Sequence, residues 1–166
     1  MATVDAQQRC EIIDVYNAYA ECIDTKNWPM VRACFADEVV LDYGGVNPAA
    51  GDPDLPRLAD DWMPVLQSVI NGFDRTRHII SNFRFRARDE GIECRAYLQA
   101  DHLILEEGQA TAARPDQVVT VVGEYTNVFA PLDGAWKIVR SKLAMEYTTG
   151  NDALFITAAQ RAAAGS

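Results

Sequence analysis

The sequence predicts an α+β fold in which helices come first and a curved antiparallel sheet follows. Three observations carry that prediction. Apolar residues recur at helical spacing up to about residue 73, long alternating segments begin near residue 75, and turn-forming clusters join those segments as consecutive hairpins. At 166 residues with 49% apolar content, one domain with a sizeable core is expected. Its span is read as residues 1–150, with residues 151–166 as a C-terminal docking segment and tail.

From Asp5 to Asp24, Ile12, Tyr16, Tyr19 and Ile23 follow one another at steps of four, three and four, the signature of one helix face. That helix is expected to stop near Thr25. Asn27 then precedes Trp28 and Pro29, an N-cap followed by a residue suited to a first turn, so a short second helix is expected to run to about Phe35. The β-branched run Val39 to Tyr43, broken by Gly44 and Gly45, reads as a first strand, and a loop rich in Pro, Gly and Asp follows. Between Leu55 and Phe73, Leu58, Trp62, Val65, Leu66, Val69 and Ile70 keep helical spacing, with Pro64 near a bend or a late start.

The remainder reads as strands over 75–88, 91–105, 117–130 and 135–147. They are separated by Asp89-Glu90-Gly91, Glu106-Glu107-Gly108 and Asp133-Gly134. Phe83, Phe85 and Ala87 alternate with Arg84, Arg86 and Arg88, which puts one face in a core and the arginines in water. Beyond Asn151, Leu154, Phe155 and Ile156 suggest docking, and the alanine-rich end suggests fraying. Helices laid over a curved sheet leave an apolar pocket at the open end of a cone.

A net charge of −9 and a pI near 4.6 disfavour nucleic acids and anionic membranes as partners. No apolar run approaches the ~20 residues of a membrane span, and the start lacks the order of a signal peptide, so a cytoplasmic location is expected. Cys10, Cys22, Cys34 and Cys94 are widely spaced and are read as reduced, mostly buried thiols.

With two histidines, the search for neutral-pH proton transfer is short. His78 opens a strand and Asp24 closes the first helix. In contact, the carboxylate would fix one ring nitrogen as a donor and free the other to take a substrate proton. The plainer reading makes Asp24 a helix cap and His78 a half-exposed strand residue. Simple alternation indeed puts His78 on the outer face with Arg84 and Arg86, so a dyad requires a bulge near Ile80 to Asn82. Tyr19 lies about 140° round the helix from Asp24 and is either a core tyrosine or a proton donor to a leaving oxygen. His102 shares parity with Cys94, Ala96, Leu98 and Ala100, so it is expected to face inward, by default as a buried structural histidine.

Without HExxH, HxH or a Cys/His cluster, no metal site is expected. Without GxGxxG, GxxxxGK[ST] or GxSxG, neither nucleotide binding nor serine hydrolysis has support. The chemistry is expected to use no cofactor.

The segments Tyr19 to Asp24, Thr76-Arg77-His78 to Asn82, Gly123 to Asn127, and Asp133 to Ile138 together resemble the SnoaL-like superfamily, over roughly residues 6–147. The resemblance implies the cone-shaped nuclear-transport-factor-2-like (cystatin-like roll) fold. It is greatest for the dehydratase and dehydrohalogenase branch, which includes bile acid 7α-dehydratase, scytalone dehydratase and hexachlorocyclohexane dehydrochlorinase.

By that resemblance Asp24 and His78 match a catalytic acid–histidine pair, Tyr19 a tyrosine five positions before the Asp, and His102 a second histidine. It also implies that His78 turns into the cone where its strand distorts. The sequence departs from these relatives near Met145, where the bile acid enzyme has an arginine, and at Tyr19, where the dehydrochlorinase has a lysine.

The expected activity is therefore a cofactor-independent lyase that expels water, halide or a small carbonyl from a hydrophobic ring compound of steroid, terpenoid or aromatic type. In it His78 is the base, Asp24 its stabiliser, and Tyr19 or His102 the acid. The pocket is expected to be lined by Phe35, Tyr43, Trp62, Leu66, Val121, Tyr125, Met145 and Tyr147. A ketosteroid-isomerase-like isomerase, a ligand carrier and a module like the small subunit of ring-hydroxylating dioxygenases are the alternatives. Self-association into a dimer or trimer is also expected from the resemblance.

Overall fold

A computed structural model describes residues 3–43, 45, 47–108 and 111–165. Gly44, where the first strand was expected to break, lies outside the described residues.

Helix α1, Ala6–Asp24, starts from a reciprocal cap: the Gln8 amide donates to Asp5 Oδ1 at 2.9 Å, and the Asp5 amide donates to Gln8 Oε1 at 3.1 Å. The stripe Ile12, Tyr16, Tyr19 and Ile23 is buried, as its spacing predicts. The Tyr16 hydroxyl donates to the Cys94 carbonyl at 2.8 Å, which satisfies its one polar atom deep in the core.

Helix α2, Trp28–Ala33, is shorter than expected, and the Asn27 side chain makes no capping bond. Phe35 instead opens strand β1, Phe35–Asp42, opposite Ile138, while the Ile138 amide donates to the Cys34 carbonyl at 2.8 Å. Sheet pairing wins over the helical pattern there because it gives the backbone of β6 a partner that a further helical turn could not offer.

The start of the segment expected as the third helix is instead strand β2, Pro56–Leu58, paired antiparallel to β1 at the sheet edge, where proline costs no ladder hydrogen bond. Helix α3, Ala59–Ile70, therefore starts later than its pattern suggests, with Pro64 inside it.

The long strands are β3, Arg75–Arg88, β4, Gly91–Leu103, β5, Val118–Leu132, and β6, Ala135–Gly150. With β1 and β2 they form one six-stranded sheet in the order β2-β1-β6-β5-β4-β3. The pairing of β1 with β6 is parallel, a departure from the wholly antiparallel expectation, and the other pairings are antiparallel. One-residue irregularities interrupt β3 between Ser81 and Arg84, and the β5–β6 ladder at Val122/Gly123 and Val128/Phe129. Bulges of this kind sharpen twist and bend a sheet.

Residues 153–164 form helix α4, where sequence alone suggests only a docking segment and a frayed end. Leu154 and Ala158 are buried, the latter fully, against Phe73 and Val119. Arg161 clasps Asp74 through two hydrogen bonds of 3.1 and 2.6 Å. Cys22, Cys34 and Cys94 are buried free thiols and Cys10 is exposed. Among the described residues no helix is long and apolar enough to cross a membrane.

Gly72 fixes the seat of α4, because a Cβ there would lie 1.8 Å from the Ala158 carbonyl oxygen. Gly72→Ala is expected to lower stability by about 1–3 kcal/mol through overpacking, and to expose the bonds near Ala153 to limited proteolysis before the sheet is cut. An unchanged melting temperature with α4 still protected would show that the helix shifts at no cost.

Candidate active site

Where α1 ends, the Asp24 carboxylate meets β3. Its Oδ1 accepts from the Thr76 hydroxyl at 2.8 Å and contacts His78 Nδ1 at 2.7 Å, while its Oδ2 accepts from the His78 backbone amide at 3.0 Å. The two side chains of the pair are only 7% and 6% exposed. Arg77, largely exposed, reaches to 4.0 Å from Oδ2.

Burial raises the cost of ionising Asp24. The His78 ring, the His78 amide, the imidazole charge and the Thr76 hydroxyl outweigh it and hold the carboxyl below its ordinary value. An ionised carboxylate can only accept, so His78 Nδ1 carries the hydrogen of this contact.

Register explains why His78 points inward. On β3, Ser81 stands opposite Tyr97 and Arg84 opposite Arg95, so β3 carries one more residue than β4 in that interval, and Asn82 there has φ +58°. The extra residue switches parity. Thr76, His78 and Ile80 share the inner face on one side of it, and Phe83, Phe85 and Ala87 on the other. Uninterrupted alternation, which would turn His78 outward with the arginines, is thereby corrected at the position where a bulge was required.

His78 opens onto a cavity of about 450 Å³, and Asp24 holds its ring from behind. Of the expected wall residues, Tyr43, Trp62, Leu66, Val121, Tyr125 and Met145 line it. Phe35 does not: it packs behind Tyr19, with ring centroids 5.8 Å apart. Tyr147 is a second correction. The irregularity at Glu146 sets Gly123 opposite Met145 but Val122 opposite Tyr147, so these two β6 residues point to opposite faces and Tyr147 stands 57% exposed on the outer one.

Sequence reasoning did not assign Phe155 and Ala159 to the wall, since it gave the C-terminal segment no helix. Thr76 was missed too, although its place two residues before His78 put it on the same strand face. Among the described residues the lining includes no Asp, Glu, Lys or Arg.

Tyr19, 3% exposed, also borders the cavity, and its hydroxyl is hydrogen-bonded to Tyr43 and Tyr125. The Tyr43 hydroxyl meets Ser141 Oγ at 3.2 Å. Burial foremost pushes the Tyr19 phenol well up, so it remains a neutral hydrogen-bond donor.

His102 faces inward, as expected, with ring centroids 4.9 Å from Phe73, 5.3 Å from Phe155 and 5.5 Å from His78. Its Nδ1 is buried without a hydrogen-bond partner among the described residues. Burial first, and the neighbouring His78 charge second, bring it down to about 4. His102 is therefore neutral at physiological pH. Among the described residues no cluster of three His, Cys, Asp or Glu side chains could hold a metal ion.

The His102 shift has a measurable consequence. A histidine that titrates near 4 in the fold and near 6.5 unfolded takes up protons preferentially in the unfolded chain, so stability falls as pH drops from 6.5 toward 4. The full drop is about 3 kcal/mol by the linkage relation. Chemical denaturation of wild type and His102→Phe across this range is expected to show a flatter profile for the variant. Parallel profiles would place the acid-sensitive group elsewhere.

Comparison with known proteins places this fold. The model of the family described as SnoaL-like domain matches residues 4–142. A solved structure of a provisionally assigned aromatic ring hydroxylase from Novosphingobium aromaticivorans is 20% identical, with a TM-score of 0.71, and the match covers 94% of this chain and 99% of that one. A provisionally assigned scytalone dehydratase from the same organism is 20% identical with a TM-score of 0.66, over 87% of this chain and 92% of that one. The hexachlorocyclohexane dehydrochlorinase LinA-type3 of Novosphingobium barchaimii is 15% identical with a TM-score of 0.65, over 88% and 91% respectively. No functionally curated protein matches the sequence significantly.

Proposed function

This chain belongs to the SnoaL-like family, and on that premise we propose that it is a lyase that eliminates a leaving group from a neutral, hydrophobic, ring-containing substrate by Asp24–His78 acid–base catalysis. The observation that carries the reading is the carboxylate–imidazole contact of 2.7 Å, with the imidazole in the wall of a largely apolar cavity. Two polar groups kept out of water at such a cost are retained most readily for what they do together.

In this reading, His78 Nε2 takes a proton from the carbon next to the one that bears the leaving group. The C–H electrons become the new double bond as the bond to the leaving group breaks. Asp24 stabilises the imidazolium as it forms, and a base placed in this way contributes ~10²–10⁴-fold in rate.

Tyr19, a neutral phenol at the cavity wall, donates a hydrogen bond to the departing oxygen. His102, titrating near 4, is poorly suited to the acid role and serves as a neutral hydrogen-bonding wall. The cavity volume fits a steroid, terpenoid or fused aromatic ring system, and among the described residues its lining offers no Lys or Arg for an anionic group. The relatives named for dehydration and dehydrochlorination favour water or halide as the leaving group.

Isomerisation is the second reading. The linked hydroxyls of Tyr19, Tyr43 and Tyr125 favour it, because such a network can also hold an enolate oxygen while the base returns its proton elsewhere on the substrate. Product mass separates the two readings.

Incubating the protein with a panel of hydrophobic alcohols and halides, followed by mass spectrometry, is expected to reveal a product lighter by water or hydrogen halide. On that substrate His78→Ala should abolish turnover. Asp24→Asn, which keeps shape but loses the orienting charge, should reduce kcat by roughly 10²–10⁴-fold with little change in Tm. Wild-type turnover in Asp24→Asn would refute the dyad.

A further inference from the structure

We propose that Thr76 is a positioning residue of the candidate site, whose hydroxyl, together with the His78 backbone amide, sets the plane of the Asp24 carboxylate and so the aim of the His78 ring. The inference rests on the reading of Asp24 and His78 as a catalytic pair and extends it to a third side chain.

The terminal torsion of aspartate is soft, with broad and roughly two-fold preferences, so a single hydrogen bond leaves the carboxylate free to swing. Asp24 is held at both ends. The Thr76 hydroxyl donates to Oδ1 at 2.8 Å and the His78 amide to Oδ2 at 3.0 Å, so the plane is defined before the imidazole is considered. His78 Nδ1 then meets Oδ1, the same oxygen that Thr76 holds, at 2.7 Å.

The hydroxyl is itself well fixed. Thr76 is 5% exposed, lies two residues before His78 on the inner face of β3, and is β-branched, so its side-chain torsion is stiff on a strand. Because the carboxylate can only accept, the direction of the bond is settled: Thr76 donates. Few other groups could take over. Arg77 of β3 lies 4.0 Å from Oδ2 with its side chain largely exposed, and His102 of β4 faces His78, not Asp24. α1 adds Tyr19 to the chamber, whereas α3 and α4 line it with no charged side chain.

Thr76→Val keeps the shape and removes the donor, and Thr76→Ser keeps the donor. Two observations on the free protein need no substrate: the Asp24 carboxyl carbon followed by NMR through an acid titration, and the His78 ring nitrogens at neutral pH. In Thr76→Val the Asp24 midpoint is expected to rise by about one pH unit, the size of a lost hydrogen bond to a charged group. The His78 nitrogens are expected to shift toward a mixture of tautomers. Thr76→Ser should superimpose on wild type in both.

On a compound that the wild type converts, Thr76→Val should lose about tenfold or more in kcat with KM within twofold, and Thr76→Ser should restore it. If Thr76→Val does not fold, Thr76→Ala carries the same readouts. An unmoved Asp24 midpoint and unchanged tautomer signals in the folded variant would overturn the proposal, even with His78→Ala inactive. Full activity of His78→Ala would instead overturn the catalytic reading, and a moved Asp24 midpoint would still support the clamp.

Discussion

One short hydrogen bond joins the end of the first helix to the start of the longest hairpin run, and the chamber is organised around it. Asp24 is the last residue of α1 and His78 the fourth residue of β3, so their contact ties the helical layer to the sheet at the cone's open end. A carboxylate in such a place is costly unless its lone pairs are taken up. Here three donors take them up, all from Thr76 and His78. The same donors that make the charge tolerable also direct the imidazole, so satisfying the buried polar group and preparing a base are one arrangement.

Around that bond, single-residue irregularities decide which side chains see the cavity. The extra residue on β3 brings Thr76 and His78 inside without exposing Phe83 and Phe85, and the irregularity on β6 keeps Met145 inside while sending Tyr147 out. A strand of strict alternation could not hold the imidazole of β3 and the phenylalanines further along it on one face. The bulges that curve the sheet into a cone are thus the same features that assign residues to the site, which links shape to chemistry through register.

Much of the scaffold was legible in the sequence because its signals are local. The four-three-four stripe of α1, the alternation through Phe83, Phe85 and Ala87, and the Asp-Gly turn before β6 each state their structure within a few residues. What was not legible depends on partners distant in sequence. The parallel pairing of β1 with β6 and the small edge strand Pro56–Leu58 exist only because other strands lie alongside. Helix α4 is weakly patterned, and its place follows from Gly72 and the Asp74–Arg161 clasp. Of the site, Asp24, His78, Tyr19 and His102 could be named from the sequence and its resemblance to a family. The inward turn of His78 was implied by that resemblance against plain alternation; the structure adds the extra β3 residue that produces it, the lowered basicity of His102, and the retreat of Phe35 and Tyr147 from the wall.

The direct test of this account is the protonation pattern of the His78 ring, read from nitrogen-15 shifts and couplings of the labelled protein at neutral pH without any added ligand. The account predicts a hydrogen held on Nδ1, a strongly downfield signal for that hydrogen, and loss of both features in Asp24→Asn. A ring with its hydrogen on Nε2, or a spectrum indifferent to the Asp24→Asn change, would contradict it.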